Sequence, residues 1–340
     1  MENKKLLVTP APHARTSETV TSVMMDVVVA LIPAILASVY FFGIKALVVI
    51  VTCIVFSVAS EYVCQRLMKR PITISDYSAV VTGILLAFCL PPTIPWYLAA
   101  VGAIFAIVIG KMVFGGLGYN LFNPALVGRA FLLASWPVYM TSWSGPEKFL
   151  EDKWMSLSDA TTKASALSVF KETLMAVKKG APIDSLKEVY NNFSLSDLFL
   201  GNVPGSLGET SVLFLLLGAF YLWFYKKHIT WHIPVTYIGT VGLLAWLFGG
   251  PAFMQGNVLF HVTAGGLILG AFFMATDMVT SPITKKGRII FGIGAGIIVF
   301  VIRIFGGYPE GVCYSILLMN AATPLIDRYT KPRRFGEVKA

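Results

Sequence analysis

Apolar residues occur along this chain in long blocks, not in the one-sided stripe of a soluble helix, and short polar or basic segments separate the blocks. A helix needs roughly 20 mostly apolar residues to cross a hydrocarbon core, somewhat fewer where neighbours shield it. Ten stretches qualify: 24–42, 46–67, 78–90, 97–113, 125–140, 210–225, 234–248, 258–275, 289–305 and 312–326. The third and fifth are short, which predicts helices that stop part-way and are completed by irregular backbone buried in protein.

One long polar segment, 141–209, interrupts this pattern with seven lysines and nine acidic residues. Its helical stretches, 168–179 and 186–190, alternate with Gly, Pro and Asn, the marks of a small docked loop and not of a domain with its own core. The chain therefore divides into a first five-helix unit with the N-terminus (1–140), a water-exposed loop (141–209) and a second five-helix unit with the C-terminus (210–340).

Composition agrees: 56% of the residues are apolar, 13% are charged and the mean hydropathy is +0.73, so the solvent for most of the surface is lipid. The formal charge of +9 does not mark a nucleic-acid binder, because the basic residues cluster at the ends of apolar stretches without interleaved aromatics. With the N-terminus in the cytoplasm, that side holds Lys4, Lys5, Arg15, Arg66, Lys69, Arg70, Lys111, Lys226, Lys227, Lys285, Lys286, Arg288, Arg328, Lys331, Arg333, Arg334 and Lys339, seventeen in all. The opposite side holds Lys45 and Arg303 in short loops, and loops beyond ~60 residues carry no vote. Both termini are thus expected in the cytoplasm and the long loop outside. The first stretch ends in Tyr40-Phe41-Phe42 with no small-residue cleavage site, so it reads as a retained span. Cys53, Cys64, Cys89 and Cys313 lie in apolar stretches without ligand spacing and read as small buried residues.

The two units carry related punctuation. The fourth stretch ends Lys111-Met-Val-Phe114-Gly115-Gly116 and the ninth Arg303-Ile-Phe305-Gly306-Gly307, and Val81-Thr82-Gly83 has a loose counterpart in Val262-Thr263-Ala264-Gly265. Five spans per unit is an odd number, so the units would enter the bilayer in opposite senses, as inverted repeats do in transporters and channels. The expected fold is an all-α integral membrane protein of about ten transmembrane helices in two inverted five-helix repeats, with one long extracytoplasmic loop. Gly115, Gly116, Gly306 and Gly307 fit either broken helices around a cavity or close helix packing.

Ionisable residues in such stretches are expensive and therefore candidates for function. Arg129 stands inside the fifth stretch as a partner for a phosphate or carboxylate, Asp277 beside a helix break as a polar ligand, and Glu310 beside another. Glu61 lies within two turns of Arg66, close enough to reach the interface. In the loop, Asp159-Ala-Thr161-Thr162-Lys163-Ala164-Ser165 offers hydroxyls on an exposed strand, in themselves no more than a solvated Ser/Thr cluster.

That run resembles the D-x-x-[ST]-G-A-[ST] signature at which a flavin transferase esterifies FMN to the last hydroxyl; here Lys163 replaces the usual Gly and Ser165 the usual Thr. The block Phe114-Gly-Gly-Leu-Gly-Tyr-Asn-Leu-Phe-Asn123-Pro-Ala-Leu-Val-Gly-Arg129-Ala-Phe-Leu, the run Thr276-Asp277-Met-Val-Thr-Ser-Pro282, and Arg303-Ile-Phe-Gly-Gly-Tyr-Pro-Glu310-Gly-Val with Leu317-Leu-Met-Asn320 resemble further signatures. Over nearly its whole length the chain resembles the D subunits of the Rnf ion-translocating ferredoxin:NAD oxidoreductases, relatives of a component of the sodium-pumping NADH:quinone oxidoreductase.

The resemblance implies a membrane flavoprotein subunit of a translocase in a bacterial or archaeal cytoplasmic membrane, not catalytic alone, relaying electrons between ferredoxin and NAD and coupled to Na+ or H+ movement. It implies FMN esterified to Ser165 with Asp159, Thr162 and Ala164 completing the motif, Arg129, Asn123 and Asp277 as further cofactor-binding residues, and room for a second, noncovalent flavin (riboflavin or FMN). It implies as partners a flavin transferase, the lipid bilayer and the A, B, C, E and G subunits of the complex, above all the flavoprotein G subunit. The chain holds no dinucleotide-binding glycine fingerprint and no cysteine ligand set, so nicotinamide and iron–sulfur chemistry fall to partners. Without the loop motif, the repeat fits equally a flavin-free channel or transporter of urea-transporter-like architecture, and a purely structural component of the complex is the third reading.

Overall fold

The computed structural model describes residues 18–146, 162–208, 211–308 and 310–331. Each of the ten apolar stretches is helical over most of its length. The first two form α1 (Val20–Phe42) and α2 (Ile44–Leu67), joined by Gly43 at φ 65°, a left-handed turn that lets the chain reverse in one residue. Next come α3 (Ser78–Phe88), α4 (Trp96–Ile107) continued by a π-helical turn (Val108–Met112), α5 (Pro124–Ser135) and the short α6 (Pro137–Thr141). The polar loop carries β1 (Trp143–Ser144) and β2 (Thr162–Lys163), paired antiparallel, then α7 (Ala166–Lys178), α8 (Asp184–Asn192) and α9 (Leu195–Leu200). The second unit holds α10 (Val212–Phe220) with a π turn (Tyr221–Tyr225), α11 (His232–Phe248), α12 (Val258–Thr263), α13 (Leu267–Leu269) with a π turn (Gly270–Met274), α14 (Lys285–Phe305) and α15 (Val312–Tyr329).

Among the described residues, α1, α2 and α14 are long and apolar enough to cross a membrane alone, while 78–88, 96–112, 124–135, 212–225 and 232–248 are shorter apolar helices. The third and fifth are as short as the sequence predicts. The eighth stretch is broken as well, at Ala264-Gly265-Gly266, with Gly265 at φ +74°, a region open chiefly to glycine. Helix starts are capped in the expected way: Asn123, Asn257 and Thr284 each accept a first-turn N–H with a side-chain oxygen.

In the first unit α2 packs on α3 and α4, and α4 on α5; in the second, α11 packs on α12 and α14, and α14 on α15, while α1 meets α10 across the two. Glycines allow the closest approaches. A Cβ on Gly83 would come 2.8 Å from the Ile54 backbone, and one on Gly218 would run into the Ala30 carbonyl. The Phe-Gly-Gly segments, by contrast, are not alike: Gly115 and Gly116 sit at φ +128° and +102°, whereas Gly306 caps α14 from an extended conformation. For the first pair left-handed turn geometry, not tight packing, explains the glycines.

The loop is docked on the second unit: Leu167, Phe170, Leu174, Leu186 and Leu198 share one apolar cluster with Phe260, Ala264, Phe300 and Ile304. The Phe170 ring lies 5.3 Å from Phe260 and 6.0 Å from Tyr190. Lys171 donates to the carbonyls of Gly306 and Tyr308, and burial lowers its pKa. The end of the loop is tied to the first unit, where Leu207 N–H donates to the Leu90 carbonyl at 3.0 Å and Ser38 Oγ to the Leu207 carbonyl at 2.6 Å. Of the four cysteines Cys53, Cys89 and Cys313 are buried and Cys64 is half-buried, and none is in a disulfide.

Candidate functional site

Ser165 is the N-cap of α7. Its Oγ accepts the Ser168 N–H at 3.3 Å and lies 2.8 Å from Ser168 Oγ. The residue is 5% exposed, which corrects the expectation of a hydroxyl on an open, water-exposed strand. The cause is local: serine satisfies an otherwise orphaned N–H of the first turn, and the neighbouring Ala166 and Leu167 pull that turn into the docked cluster. Of the residues before it, Lys163 is exposed, Ala164 lies between Lys163 and the cap, and Thr162 stands on β2 opposite Ser144. Asp159 lies outside the described residues.

A small crevice beside Ser165 is walled by Leu167, Leu198, Val203, Pro204, Thr263 and Gly265, with Glu310 also on its lining. Glu310 is shared with a second crevice lined by Arg129, Leu133, Trp143, Tyr308, Cys313 and Tyr314. There Arg129 and Glu310 form an ion pair, both side chains almost fully buried. Arg129 thus has the carboxylate partner that its place inside an apolar helix demands, and Glu310 links it to the surroundings of Ser165. Tyr308 and Tyr314 stack at 6.2 Å along the same crevice.

Asn123 and Asp277 belong to a different site. They line a cleft of about 920 Å³, counting its open mouth, between the first turns of α1 and α3, the end of the α4 π turn and the 272–279 segment. Asn123 caps α5 through Oδ1, donates from Nδ2 to the Met274 carbonyl at 3.3 Å, and donates its backbone N–H to Asn320 Oδ1 at 3.3 Å. One asparagine therefore pins the helix break of the first unit to the break of the second. Asp277, half-buried, accepts from Val279 N–H at 3.3 Å and Thr280 Oγ1 at 3.1 Å, which holds its carboxylate in the cleft wall. Asn120 Oδ1 is buried in the same wall with no partner among the described residues. The apolar face of the cleft comes from Val27, Leu85, Leu222 and Phe272.

The two sites occupy opposite ends of the bundle. The cleft lies where α1 and α3 begin, whereas the loop binds where they end, at Ser38 and Leu90.

The sequence pattern missed one buried cluster and misread its members. Glu61 does not reach the interface, and Lys111 is no surface charge: Lys111 Nζ lies 2.7 and 2.8 Å from the Glu61 carboxylate oxygens and 2.6 Å from Ser78 Oγ, with both charged side chains at most 2% exposed. Gln65 Nε2 donates to Glu61 as well, at 3.1 Å. Lys45 and Arg303 are buried too, Arg303 donating to the carbonyls of His261 and Ala264. Two opposite charges on apolar stretches 50 residues apart were the available signal. A second unforeseen group joins Asp26 with Tyr221, Lys226 and His228, of which His228 lines the cleft.

A family model described as the NQR2, RnfD, RnfE family matches residues 7–336. Over 334 residues the chain is 50% identical to the D subunit of the proton-translocating ferredoxin:NAD(+) oxidoreductase complex of Clostridium ljungdahlii, covering 97% of this chain and 96% of that protein. Over 341 residues it is 46% identical to the D subunit of the Na(+)-translocating ferredoxin:NAD(+) oxidoreductase complex of Acetobacterium woodii, covering 100% and 98%. To the D subunit of the ion-translocating oxidoreductase complex of Ectopseudomonas mendocina it is 39% identical, covering 97% and 95%.

Proposed function

The chain belongs to the NQR2, RnfD, RnfE family, and on that premise we propose that it is the membrane flavoprotein subunit of an ion-translocating ferredoxin:NAD oxidoreductase. It relays electrons through FMN esterified to Ser165 and couples the flow to Na+ or H+ movement. Its partners are the other members of the complex, a second flavoprotein among them, and a flavin transferase.

The observation that carries this reading is the position of Ser165 at the N-cap of a 13-residue helix. The N–H groups and positive end of the dipole there favour a phosphate ester, so α7 supplies the ester with a preformed anion seat. The crevice beside Ser165 is too small to enclose an isoalloxazine ring, and the Arg129–Glu310 pair and Tyr308 of the adjoining crevice would be the groups that set the charge around a flavin held there. A flavin supplies one- and two-electron transfer; the chain's residues anchor it and set the local charge. Because Ser165 Oγ is engaged with Ser168, the transferase must lift it out of its cap or act before α7 docks.

The cleft lined by Asn123 and Asp277 suits the second, noncovalent flavin. Its apolar walls fit a planar ring, the unpartnered Asn120 Oδ1 offers an acceptor to a ring N–H, and Asn123 and Asp277 add polar edges. Cofactors at opposite ends of the bundle would let this one chain carry electrons across the bilayer.

For the architecture we propose ten spans in two inverted five-helix repeats flanking the loop, with both termini cytoplasmic and the loop outside. The matched pairings of α2 with α4 and α11 with α14, and of α4 with α5 and α14 with α15, support it. So does the charge pattern: without the buried Lys111, sixteen of the seventeen basic residues remain on the cytoplasmic side, and both opposing ones, Lys45 and Arg303, are buried. Flavin fluorescence of the denatured chain on a gel, after production with its native transferase, tests the reading. A dark band returns the protein to the flavin-free channel reading.

A further inference from the structure

His228 stands in the wall between two cavities. One is the cleft lined by Asn123 and Asp277; the other, of about 720 Å³ counting its open mouth, is lined by Thr230, Ser281, Pro282 and Arg288, and the two also share Ile229, Thr276 and Met278. The chain reaches this position by a reversal at Lys227, φ 57°, just after the π turn that ends the sixth apolar stretch, and His228 N–H then donates to the Leu222 carbonyl at 3.0 Å. The imidazole, 7% exposed, places Nε2 at 2.8 Å from Asp26 Oδ2 on α1. Asp26 Oδ1 accepts from Tyr221 OH at 3.2 Å and Lys226 Nζ at 2.9 Å.

We propose that His228 is the proton-exchange group of the cleft, passing protons between water in the outer cavity and the groups that face the cleft, with Asp26 as the fixed counter-charge that orients its ring. Three observations carry this. The ring borders both cavities, so it needs no long side-chain swing to serve either. Imidazole has two ring nitrogens, so one can exchange a proton while the other is held, and here the Asp26 carboxylate at Nε2 fixes the ring's orientation. Third, Asp26 is itself held in place, its Oδ1 accepting from Tyr221 OH and Lys226 Nζ while Oδ2 faces the His228 ring.

The charged and titratable groups around the ring fit the role. Asp26 faces it from α1, Tyr221 and Lys226 from the end of the sixth stretch, and Arg288 lines the outer cavity from α14. On the cleft side stand Lys111 and Asp277. In the step itself, a hydronium or buffer acid in the outer cavity gives one proton to the neutral ring, forming imidazolium against Asp26. The imidazolium then releases one proton to solvent on the cleft side, toward the Asp277 carboxylate, and returns to the neutral ring. Only N–H and O–H bonds form and break, and no electrons move.

The idea does not depend on flavin at Ser165 and is tested separately from it. In the solubilised chain labelled with 15N-histidine, four histidines give ring signals. One should vanish in H228Q, exchange its ring proton with solvent, and change that exchange rate in D26N, where the carboxylate partner at Nε2 is gone. In the assembled complex in liposomes, H228A should lower proton-coupled turnover at least tenfold, and millimolar imidazoles should restore it in order of their basicity. H228A or H228Q with the wild-type rate and pH profile would overturn the proposal. So would an inactive H228A that no imidazole restores beside a fully active H228Q, which would assign a purely structural role. Absence of electron transfer in the wild-type complex would instead refute the redox reading and leave the NMR result to decide the relay.

Discussion

Glu61 on α2 and Lys111 at the end of α4 meet as a fully buried ion pair, with Nζ 2.7 and 2.8 Å from the two carboxylate oxygens. Such a pair contributes little net stability as a unit, but removing one partner strands a charge in apolar surroundings. E61Q or K111M alone should therefore lose about 3–5 kcal/mol of stability, while the double variant E61Q/K111M recovers most of it. Thermal unfolding in detergent measures this; equal losses in single and double variants would show that the two charges are not paired.

The docked loop should loosen in alkali. Tyr190 packs against both Phe170 and Phe260, and burial pushes its phenol up to about 12. A freed tyrosine titrates near ~10. Since the folded value is the higher one, the docking contribution is complete below about pH 10 and is lost as pH rises from about 10 to 12. Protease nicking within 162–208 should accelerate across that window in the wild type, and Y190F should shift the onset upward. An unchanged onset in Y190F would remove Tyr190 from the docking contact.

Asp277 is held by Val279 N–H and Thr280 Oγ1 in the cleft, at the far end of the bundle from Ser165. D277A should therefore impair ion-coupled activity of the assembled complex by tenfold or more while leaving flavin attachment to the loop intact. Ion uptake into liposomes and gel fluorescence read the two separately. Normal coupling in a fully assembled D277A complex would make Asp277 a purely structural residue.

Orientation is open to direct labelling. Lys187 is exposed on α8 of the loop and Lys286 is exposed in the first turn of α14. In a cysteine-free background, K187C should react with an impermeant thiol reagent from outside and K286C should not. The reverse pattern would invert the proposed topology.

Much of the fold was legible because lipid imposes a simple rule on the sequence. The first apolar stretch, read as 24–42, is the helix Val20–Phe42, and the ninth, read as 289–305, is Lys285–Phe305. Both helices start a turn earlier because their first turns carry polar residues, Thr21 and Ser22 in one and Lys285, Lys286 and Arg288 in the other, which escape an apolar count. The break at Gly265 was hidden because Ala264-Gly265-Gly266 sits inside a stretch, 258–275, apolar enough overall to read as one helix. At the sites, residue types were readable but partners were not. Arg129 announced itself as a charge needing company, yet Glu310 lies 181 positions away. Asp26 and His228, 202 positions apart, gave no sign of meeting, since each alone resembles an ordinary interfacial residue. Ser165 was legible by motif only; its burial follows from capping and docking, which depend on α7 finding the second unit.

The central claim is the ester on Ser165, and peptide mass spectrometry tests it most directly. Serine is a weak nucleophile and needs a transferase to activate it against the pyrophosphate of FAD. In protein made with its native transferase, the peptide containing Ser165 should carry the added mass of FMN, S165T should keep it, and S165A should lose both the mass and electron transfer through the complex. An unmodified Ser165 under those conditions, or the FMN mass on Thr161 or Thr162 instead, would contradict the account.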